Sequence, residues 1–290
     1  MIKCIVTHPG GAHKDDFLAC CLMVAKYRVP VYRREPSTHD LEDASVCVID
    51  VGGQYDDTKM NFDHHQFPRD YPPTCALSLV LKHLHMYSDA KSFCDLLETT
   101  EWIDTRGPVD TASWLEINRE VMAKLNSPID MTVIRRFAAG VSYEEGDLIW
   151  EMMSMVGEDM IRFICSMREK FEYLKQYLEF WPIEGTDGYE AAFLPRLEDV
   201  PEDVSSGMMR YIGMLEKNEV IALVYPDRRG SGYGLSRMND SKLMEYSRIN
   251  AEEDVHFAHN RGFIAKTSAV EQERLKTLLS LAFTSSPVVE

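Results

Sequence analysis

The residues best suited to chemistry lie in three short segments near the N-terminus. Segment 7–16, THPGGAHKDD, carries two histidines and two aspartates around a pair of glycines. Segments 48–53, VIDVGG, and 61–66, NFDHHQ, add two more aspartates and two adjacent histidines to a chain with nine histidines in all. Imidazole and carboxylate groups are typical ligands of divalent cations. Together the three segments predict a metal site.

Each segment also has a simpler structural interpretation. Acidic side chains are favoured at the positive N-terminus of a helix, so Asp15 and Asp16 also fit a helix cap. Asp50 follows an apolar stretch and fits a turn residue equally well. Neighbouring residues on a strand or turn point apart, so one of His64 and His65 can bind metal while the other faces a substrate. The metal interpretation therefore depends on all three segments together.

Strands and helices alternate over the first hundred residues. Short apolar, β-branched runs occupy 2–7, 29–33 and 45–51, and residues 15–27 are apolar on nearly every face. This alternation predicts an α/β fold with a doubly wound, mostly parallel sheet. Ligands of such sheets bind beyond the carboxyl ends of the strands. The chemically active segments follow strands, so we expect them to meet there.

The rest of the chain predicts a helical extension and a second, smaller α/β domain. Residues 74–180 are mainly helical in pattern, although Gly157 predicts an interruption because glycine costs ~1 kcal/mol relative to alanine in a helix. The polar segment EGTDG at 184–188 is the best linker candidate. We therefore expect a metal-binding catalytic domain over residues 1–183 and a smaller substrate-binding domain over residues 188–290.

Composition limits the class of protein. The formal net charge of −16 argues against a protein that coats nucleic acid, which would show a basic face. A nuclease stays compatible, because metal ions and a few arginines can provide the positive charge in one cleft. The seven cysteines form no C-x-x-C pair, which favours reduced thiols and excludes a zinc finger. Without an apolar run of membrane length or a signal sequence, we expect a cytoplasmic protein with no membrane association.

The ordered motifs resemble those of the DHH phosphoesterase superfamily, which includes manganese-dependent pyrophosphatases, oligoribonucleases and the RecJ exonucleases. Segments 7–16, 50–56 (DVGGQYD) and 62–66 (FDHHQ) more specifically resemble the melanocyte-proliferating-gene family. That family is catalogued as metal-dependent protein hydrolases and includes an RNA exonuclease acting from the 3′ end. The similarity extends to YPD at 225–227 and HNRGFI at 259–264.

The resemblance implies two divalent ions, Mn²⁺ first, with Mg²⁺ or Co²⁺ as substitutes. The implied ligands form two sets that share a bridging Asp50: His8 and His13 for the first ion, and Asp15, His64 and Asp104 for the second. Asp104 stands in WIDTRG, where Thr105-Arg106 replaces the usual Asn-Gly of the family.

The same resemblance implies roles near the substrate. Asp63 would orient a ligating histidine, and His65 would contact phosphate or protonate the leaving group. In the smaller domain, Arg237, His259 and Arg261 would bind other phosphates of the substrate. The chain has Ala265-Lys266-Thr267 where the family has Gly-Gly-His, and Lys266 offers a different phosphate contact.

The activity implied is metal-dependent phosphodiester hydrolysis, as a 3′–5′ exonuclease on short RNA or single-stranded oligonucleotides. The acidic composition favours very short substrates. Two alternatives stay open: a small-molecule phosphoesterase or pyrophosphatase, and a non-catalytic homologue that binds metal or nucleotide. A homodimer is also compatible with the sequence.

Overall fold

A computed structural model of the chain describes residues 1–124 and 127–285. It divides into two compact units, Met1–Cys165 and Ser166–Glu290, and each unit contains one six-stranded sheet. The division falls within one long helix, Leu148–Tyr177.

The sheet of the first unit is mostly parallel. Its strands are β1 (Cys4–Thr7), β2 (Val31–Arg33), β3 (Val46–Ile49), β4 (Tyr55–Asp56), β5 (Asn61–Phe62) and β6 (Ser142–Tyr143), in the order β4-β5-β3-β1-β2-β6. The central strands β5, β3, β1 and β2 run parallel, and the edge strands β4 and β6 are antiparallel to their neighbours. The predicted α/β fold with a mostly parallel sheet is confirmed.

Eight helices of the described chain begin in the first unit. They are α1 (Lys14–Tyr27), α2 (Thr38–Glu42), α3 (Ala76–His83), α4 (Tyr87–Phe93), α5 (Asp95–Trp114), α6 (Arg119–Lys124), α7 (Pro128–Ala139) and α8 (Leu148–Tyr177). Helix α5 is kinked at Gly107, whose φ of 78° is not helical. In the described part of the chain, no helix has the length and apolarity that a membrane span requires.

The interruption predicted at Gly157 is wrong, because α8 continues through it. A Cβ atom at Gly157 would lie 2.0 Å from the carbonyl oxygen of Cys21 in α1. Glycine therefore allows the two helix backbones to approach closely, and this contact compensates for its low helix propensity.

The second unit has a mostly antiparallel sheet. Its elements are β7 (Glu179–Pro182), β8 (Glu190–Phe193), α9 (Met208–Met214), β9 (Val220–Pro226), β10 (Tyr233–Arg237), β11 (Val255–Ala258), β12 (Ile264–Thr267) and α10 (Gln272–Ala282). The strand order is β11-β12-β10-β9-β8-β7, and only β8 and β9 pair in parallel. The polar segment 184–188, predicted as a linker, is the turn between β7 and β8. It therefore lies inside the second unit, and the first domain predicted over 1–183 extends into this sheet.

Candidate metal centre

Three neighbouring parallel strands end at the same edge of the first sheet. His8 follows β1, Asp50 follows β3, and residues 63–65 follow β5. Asp50 has a left-handed backbone with φ of 58°, and its amide donates a hydrogen bond to the carbonyl of Phe62 at 3.1 Å. This geometry turns the chain away from the sheet at the point where the carboxylate is needed. The parallel topology thus brings the three motifs side by side.

The first turn of α1 supplies two carboxylates with different roles. Asp16 caps the helix, because its Oδ1 accepts hydrogen bonds from the amides of His13 and Phe17, both at 2.8 Å. Asp15 Oδ2 accepts a hydrogen bond from the amide of Ala76 at 3.3 Å. The helix-cap interpretation therefore applies to Asp16, whereas Asp15 is a fully buried carboxylate of the cluster whose metal binding stays a prediction.

His64 joins two of the predicted ligands. Its Nε2 lies 3.1 Å from Asp50 Oδ1 and 3.0 Å from Asp104 Oδ2. Asp104 comes from α5, so this residue of the segment WIDTRG also reaches the cluster, although it is distant in sequence from the other three segments. These three side chains are largely buried.

His8 and His13 approach the cluster from the loop after β1. His8 Nε2 lies 3.2 Å from Asp16 Oδ2 and 3.5 Å from Asp50 Oδ2, and His13 Nδ1 lies 3.8 Å from Asp104 Oδ1. His8, His13 and Asp50 each place a ligand atom within 4.8 Å of the other two, as expected for the first ion. His13 also groups in this way with Asp15 and Asp104.

The set of donor atoms fits divalent cations, because several buried nitrogen and oxygen atoms of the cluster lack a hydrogen bond of good geometry. Six such atoms form no well-aligned hydrogen bond within the described chain: His8 Nε2, Asp15 Oδ1, Asp16 Oδ2, Asp50 Oδ1, His64 Nε2 and Asp104 Oδ2. All of them except Asp15 Oδ1 lie in the histidine–aspartate contacts given above. A buried polar atom without a partner costs about 1–3 kcal/mol. Imidazole nitrogen and carboxylate oxygen together suit Mn²⁺ or Mg²⁺, and cations coordinated by these atoms would offset that cost.

The pKa shifts reflect the same concentration of negative charge. Burial raises the pKa of Asp15 well above its usual range, and the charges of Asp50 and Asp104 raise it further. Burial lowers the pKa of His64, but its contacts with Asp104 and Asp50 outweigh this and raise the pKa to about 10. The contact with Asp16 raises the pKa of His8 to about 9. Protons on His8 and His64 therefore neutralise part of the carboxylate charge, and bound cations would take over this role.

Asp63 orients a histidine, but a different one from the ligating residue expected. Its Oδ1 lies 2.7 Å from Nδ1 of His65, and its Oδ2 accepts a hydrogen bond from the amide of Gly53 at 2.6 Å. The side chain of His65 remains 63% exposed. Asp63 thus positions the ring of His65 through Nδ1. This position is compatible with the predicted contact between His65 and phosphate.

Two residues near the centre were missed from sequence. Asp16 contacts His8, but its helix-capping pattern gave no separate signal for this. Arg33, at the end of β2, is buried and donates hydrogen bonds to the carbonyls of Gly10 at 3.1 Å and Gly11 at 2.9 Å. It fixes the loop between His8 and His13, and nothing in the local sequence indicates this long-range contact.

The cluster opens into a cavity of ≈ 670 Å³. Its wall also includes Glu35, Phe67, Arg69, Tyr71 and Arg106. The volume lies within the usual range for small-ligand sites. The cavity can therefore admit a substrate to the carboxylate cluster.

The predicted substrate-binding residues of the second unit have local contacts. Arg237 is 6% exposed and donates hydrogen bonds to the carbonyl of Met244 at 2.6 Å and to Glu245 Oε2 at 2.9 Å. His259 and Arg261 lie between β11 and β12, and the amide of Arg261 donates to His259 Nδ1 at 3.1 Å. Arg237 therefore has contacts within its own unit, and substrate binding by Arg237, His259 and Arg261 stays a prediction.

Lys266, the alternative phosphate contact, forms an ion pair with Asp227. Its Nζ lies 2.7 Å from Asp227 Oδ1. The positive charge is therefore already matched within the second unit.

The fold and the centre define an α/β protein with a candidate divalent-metal site at the carboxyl edge of a parallel sheet. Residues 4–83 match the model of the family MYG1_exonuc, described as "Uncharacterised protein family (UPF0160)". This range contains every predicted ligand except Asp104. The resemblance to the melanocyte-proliferating-gene family is confirmed over these residues.

Relatives match over a short region. The chain is 42% identical over 66 residues to the MYG1 exonucleases of Bos taurus and Homo sapiens. The match covers 21% of this chain, and 16% of the bovine and 17% of the human protein. It therefore spans less than a fifth of either relative.

Solved structures match over most of the chain, with low scores. An exopolyphosphatase-related protein from Bacteroides fragilis has 11% identity and a TM-score of 0.28, covering 97% of this chain and 91% of that one. RecJ in complex with Mn²⁺ from Thermus thermophilus has 14% identity and a TM-score of 0.29, covering 99% of this chain and 53% of that one.

Proposed function

We propose that this protein is a metal-dependent phosphodiester hydrolase that shortens RNA or single-stranded oligonucleotides from an end. One observation carries the proposal: imidazole and carboxylate groups from three strand ends and two helices converge in one cavity, with buried atoms left without partners. The exonuclease activity in the names of the bovine and human relatives supports the substrate class. The substrates are short oligomers, since the net charge of −16 disfavours long contacts with a polyanion.

The centre would hold two divalent ions, with Mn²⁺ as the proposed native metal and Mg²⁺ or Co²⁺ as substitutes. Bound there, the pair would provide hydroxide near neutral pH and neutralise charge on the phosphate. Asp50 is the proposed shared ligand, because it lies close to both His8 and His64.

The residues around the ions have separate tasks. Asp63 holds His65 at Nδ1, which leaves Nε2 of His65 to donate a proton to a phosphate or leaving-group oxygen. Arg33 keeps the loop of Gly10 and Gly11 in place between the histidine ligands.

The test is hydrolysis of short 5′-labelled RNA and DNA oligomers with Mn²⁺, with and without a chelator. Asp50→Asn removes the ligand charge but keeps the side-chain shape, and asparagine tolerates the left-handed backbone of this position. Asp57→Asn is the matched control, because Asp57 is exposed and pairs with His83 outside the cavity.

We expect stepwise, metal-dependent shortening that falls by more than about a hundredfold in Asp50→Asn and persists in Asp57→Asn. The direction of shortening would reveal the polarity. Absence of cleavage in wild-type protein that binds Mn²⁺ would overturn the proposal. Release of phosphate from pyrophosphate, with oligomers intact, would establish a small-molecule phosphoesterase instead.

A further inference from the structure

An aromatic pair lies in the loop between β5 and α3, beside the metal centre. The rings of Phe67 and Tyr71 pack against each other in a tilted arrangement, with centroids 4.6 Å apart and an interplanar angle of 35°. The ring of Tyr55 lies edge-on to Phe67 with centroids 6.2 Å apart, but Tyr55 does not line the cavity. Tyr71 is 42% exposed and, like Phe67, does line it. An aromatic surface is thus presented to the same space as the carboxylate cluster.

Both ends of this pair are tied to segments that carry proposed ligands. The amide of Phe67 donates to the carbonyl of His64 at 2.9 Å. At the other end, the guanidinium of Arg106 donates to the carbonyls of Arg69 and Tyr71. Arg106 follows Asp104 by two residues. The position of the rings is therefore fixed relative to the centre.

Arg69 adds a positive charge to this surface. Its side chain is exposed and lines the cavity, and no described carboxylate lies within ion-pair distance of its guanidinium. Arg106 adds a second positive charge to this side of the cavity wall. Cations next to aromatic rings are the combination that binds a phosphate and its adjoining base.

We propose that Phe67 and Tyr71 form a stacking platform for the base of the substrate's terminal nucleotide, with Arg69 contacting a neighbouring phosphate. This inference rests on the proposed function and refines it, since it assigns base-bearing nucleotide ends as substrates. Stacking would tolerate any base, because every base has an aromatic face. The platform therefore predicts recognition of a nucleotide end without strong sequence preference.

The decisive experiment compares two short RNAs that differ only in the residue removed first, which carries either a normal base or an abasic sugar. Steady-state kinetics are measured with Mn²⁺ for wild type, Tyr71→Ala, Tyr71→Phe and Tyr55→Ala. Tyr71→Phe keeps the ring, and Tyr55→Ala removes an exposed aromatic residue of the same cluster that does not line the cavity.

Tyr71→Ala should raise KM for the base-bearing RNA about tenfold or more and leave KM for the abasic RNA unchanged. The variants Tyr71→Phe and Tyr55→Ala should behave like wild type. Equal effects of Tyr71→Ala on both RNAs, or no effect on either, would overturn the platform while leaving the proposed hydrolysis intact.

A binding measurement tests the platform even if no RNA is cleaved. An oligomer with terminal 2-aminopurine should lose fluorescence on binding to wild type, because stacking on Tyr71 quenches the base, and should lose much less on binding to Tyr71→Ala. Equal quenching by both proteins would exclude stacking on Tyr71. Failure of cleavage alone would overturn only the proposed function.

Discussion

The candidate centre and the second unit use carboxylates in opposite ways. In the centre, Asp15 is buried among other carboxylates, and Asp50 faces the histidines His8 and His64. In the second unit, Arg274 forms ion pairs with Glu252 and Asp254, each at 2.7 Å. The carboxylates of the centre are balanced by histidine protons that a cation can replace, whereas the permanent charge of Arg274 stabilises the fold.

The pKa shifts of the carboxylates show the same difference. Burial and neighbouring carboxylates raise the pKa of Asp15. In the second unit, hydrogen bonds from Arg274 lower the pKa of Asp254. Burial raises the pKa of Asp227, but the hydrogen bonds from Lys266 and from the amide of Arg229, together with the charge of Lys266, outweigh burial and lower the pKa.

Within the candidate centre, the pKa of Asp15 and that of Asp50 are raised, mainly by burial. Burial also acts on Asp104, but its contacts with His64 outweigh this and its pKa is lowered. The raised values therefore distinguish Asp15 and Asp50 from the carboxylates of structural pairs.

The largest effect on stability should come from metal at the first unit. At about 100 times its Kd, Mn²⁺ should stabilise wild type by about 2.7 kcal/mol. Asp15→Asn should reduce this gain, and its metal-free form should be more stable than metal-free wild type because one buried, repelled charge is gone. Chemical denaturation with and without Mn²⁺ measures both quantities. A metal-free Asp15→Asn protein less stable than wild type would contradict the comparison.

A smaller effect is expected at the second unit. Asp227→Asn leaves Lys266 without its partner and should lower the free energy of unfolding by about 1–3 kcal/mol. The increase in stability produced by Mn²⁺ should be unchanged. The same denaturation series measures the free energy of unfolding and its response to Mn²⁺. A reduced response to Mn²⁺ would show that the charges of the two units are not independent.

The pKa shifts of the histidines predict a pH dependence of the metal-free protein. The pKa of His8 is raised to about 9 and that of His64 to about 10, so their contribution to stability is complete below 6.5 and is lost as pH rises through those values. Ionisation of Asp15 also lowers stability as pH rises, because the pKa of Asp15 is raised in the folded protein.

Thermal unfolding with chelator should therefore show Tm falling from about pH 7 to about pH 9.5, and less so with Mg²⁺ bound. His64→Gln should flatten the metal-free curve, while His83→Gln serves as the control outside the cavity. A Tm that rises over this range would contradict the assigned shifts.

Local sequence patterns identified most residues of this cluster because they follow strands directly, and their role as metal ligands stays a prediction. His8, Asp50 and His64 each come within two residues of a strand end, and parallel topology then places those ends together. Asp104 was harder to predict because it lies on a helix, and only its place in the family motif indicated it.

Other features depend on contacts that no local pattern contains. Gly157 is compatible with a helix only because α1 packs against it. The partner of Arg237, Glu245, lies beyond the strand, so the sequence around Arg237 gave no indication of this buried ion pair. The partner of Asp63 was also missed, because the two histidines after it are equivalent in sequence and differ only in the fold.

Arg33 links the centre to a helix that contributes no ligand. Besides the glycine loop, its guanidinium donates to the carbonyls of Phe137 and Ala138 at the end of α7, at 3.2 and 2.9 Å. Local unfolding of α7 would therefore release the loop between His8 and His13 and weaken cation binding. By reciprocity, a bound cation suppresses that unfolding by the same factor, so amide hydrogen exchange in α7 reports the occupancy of the centre.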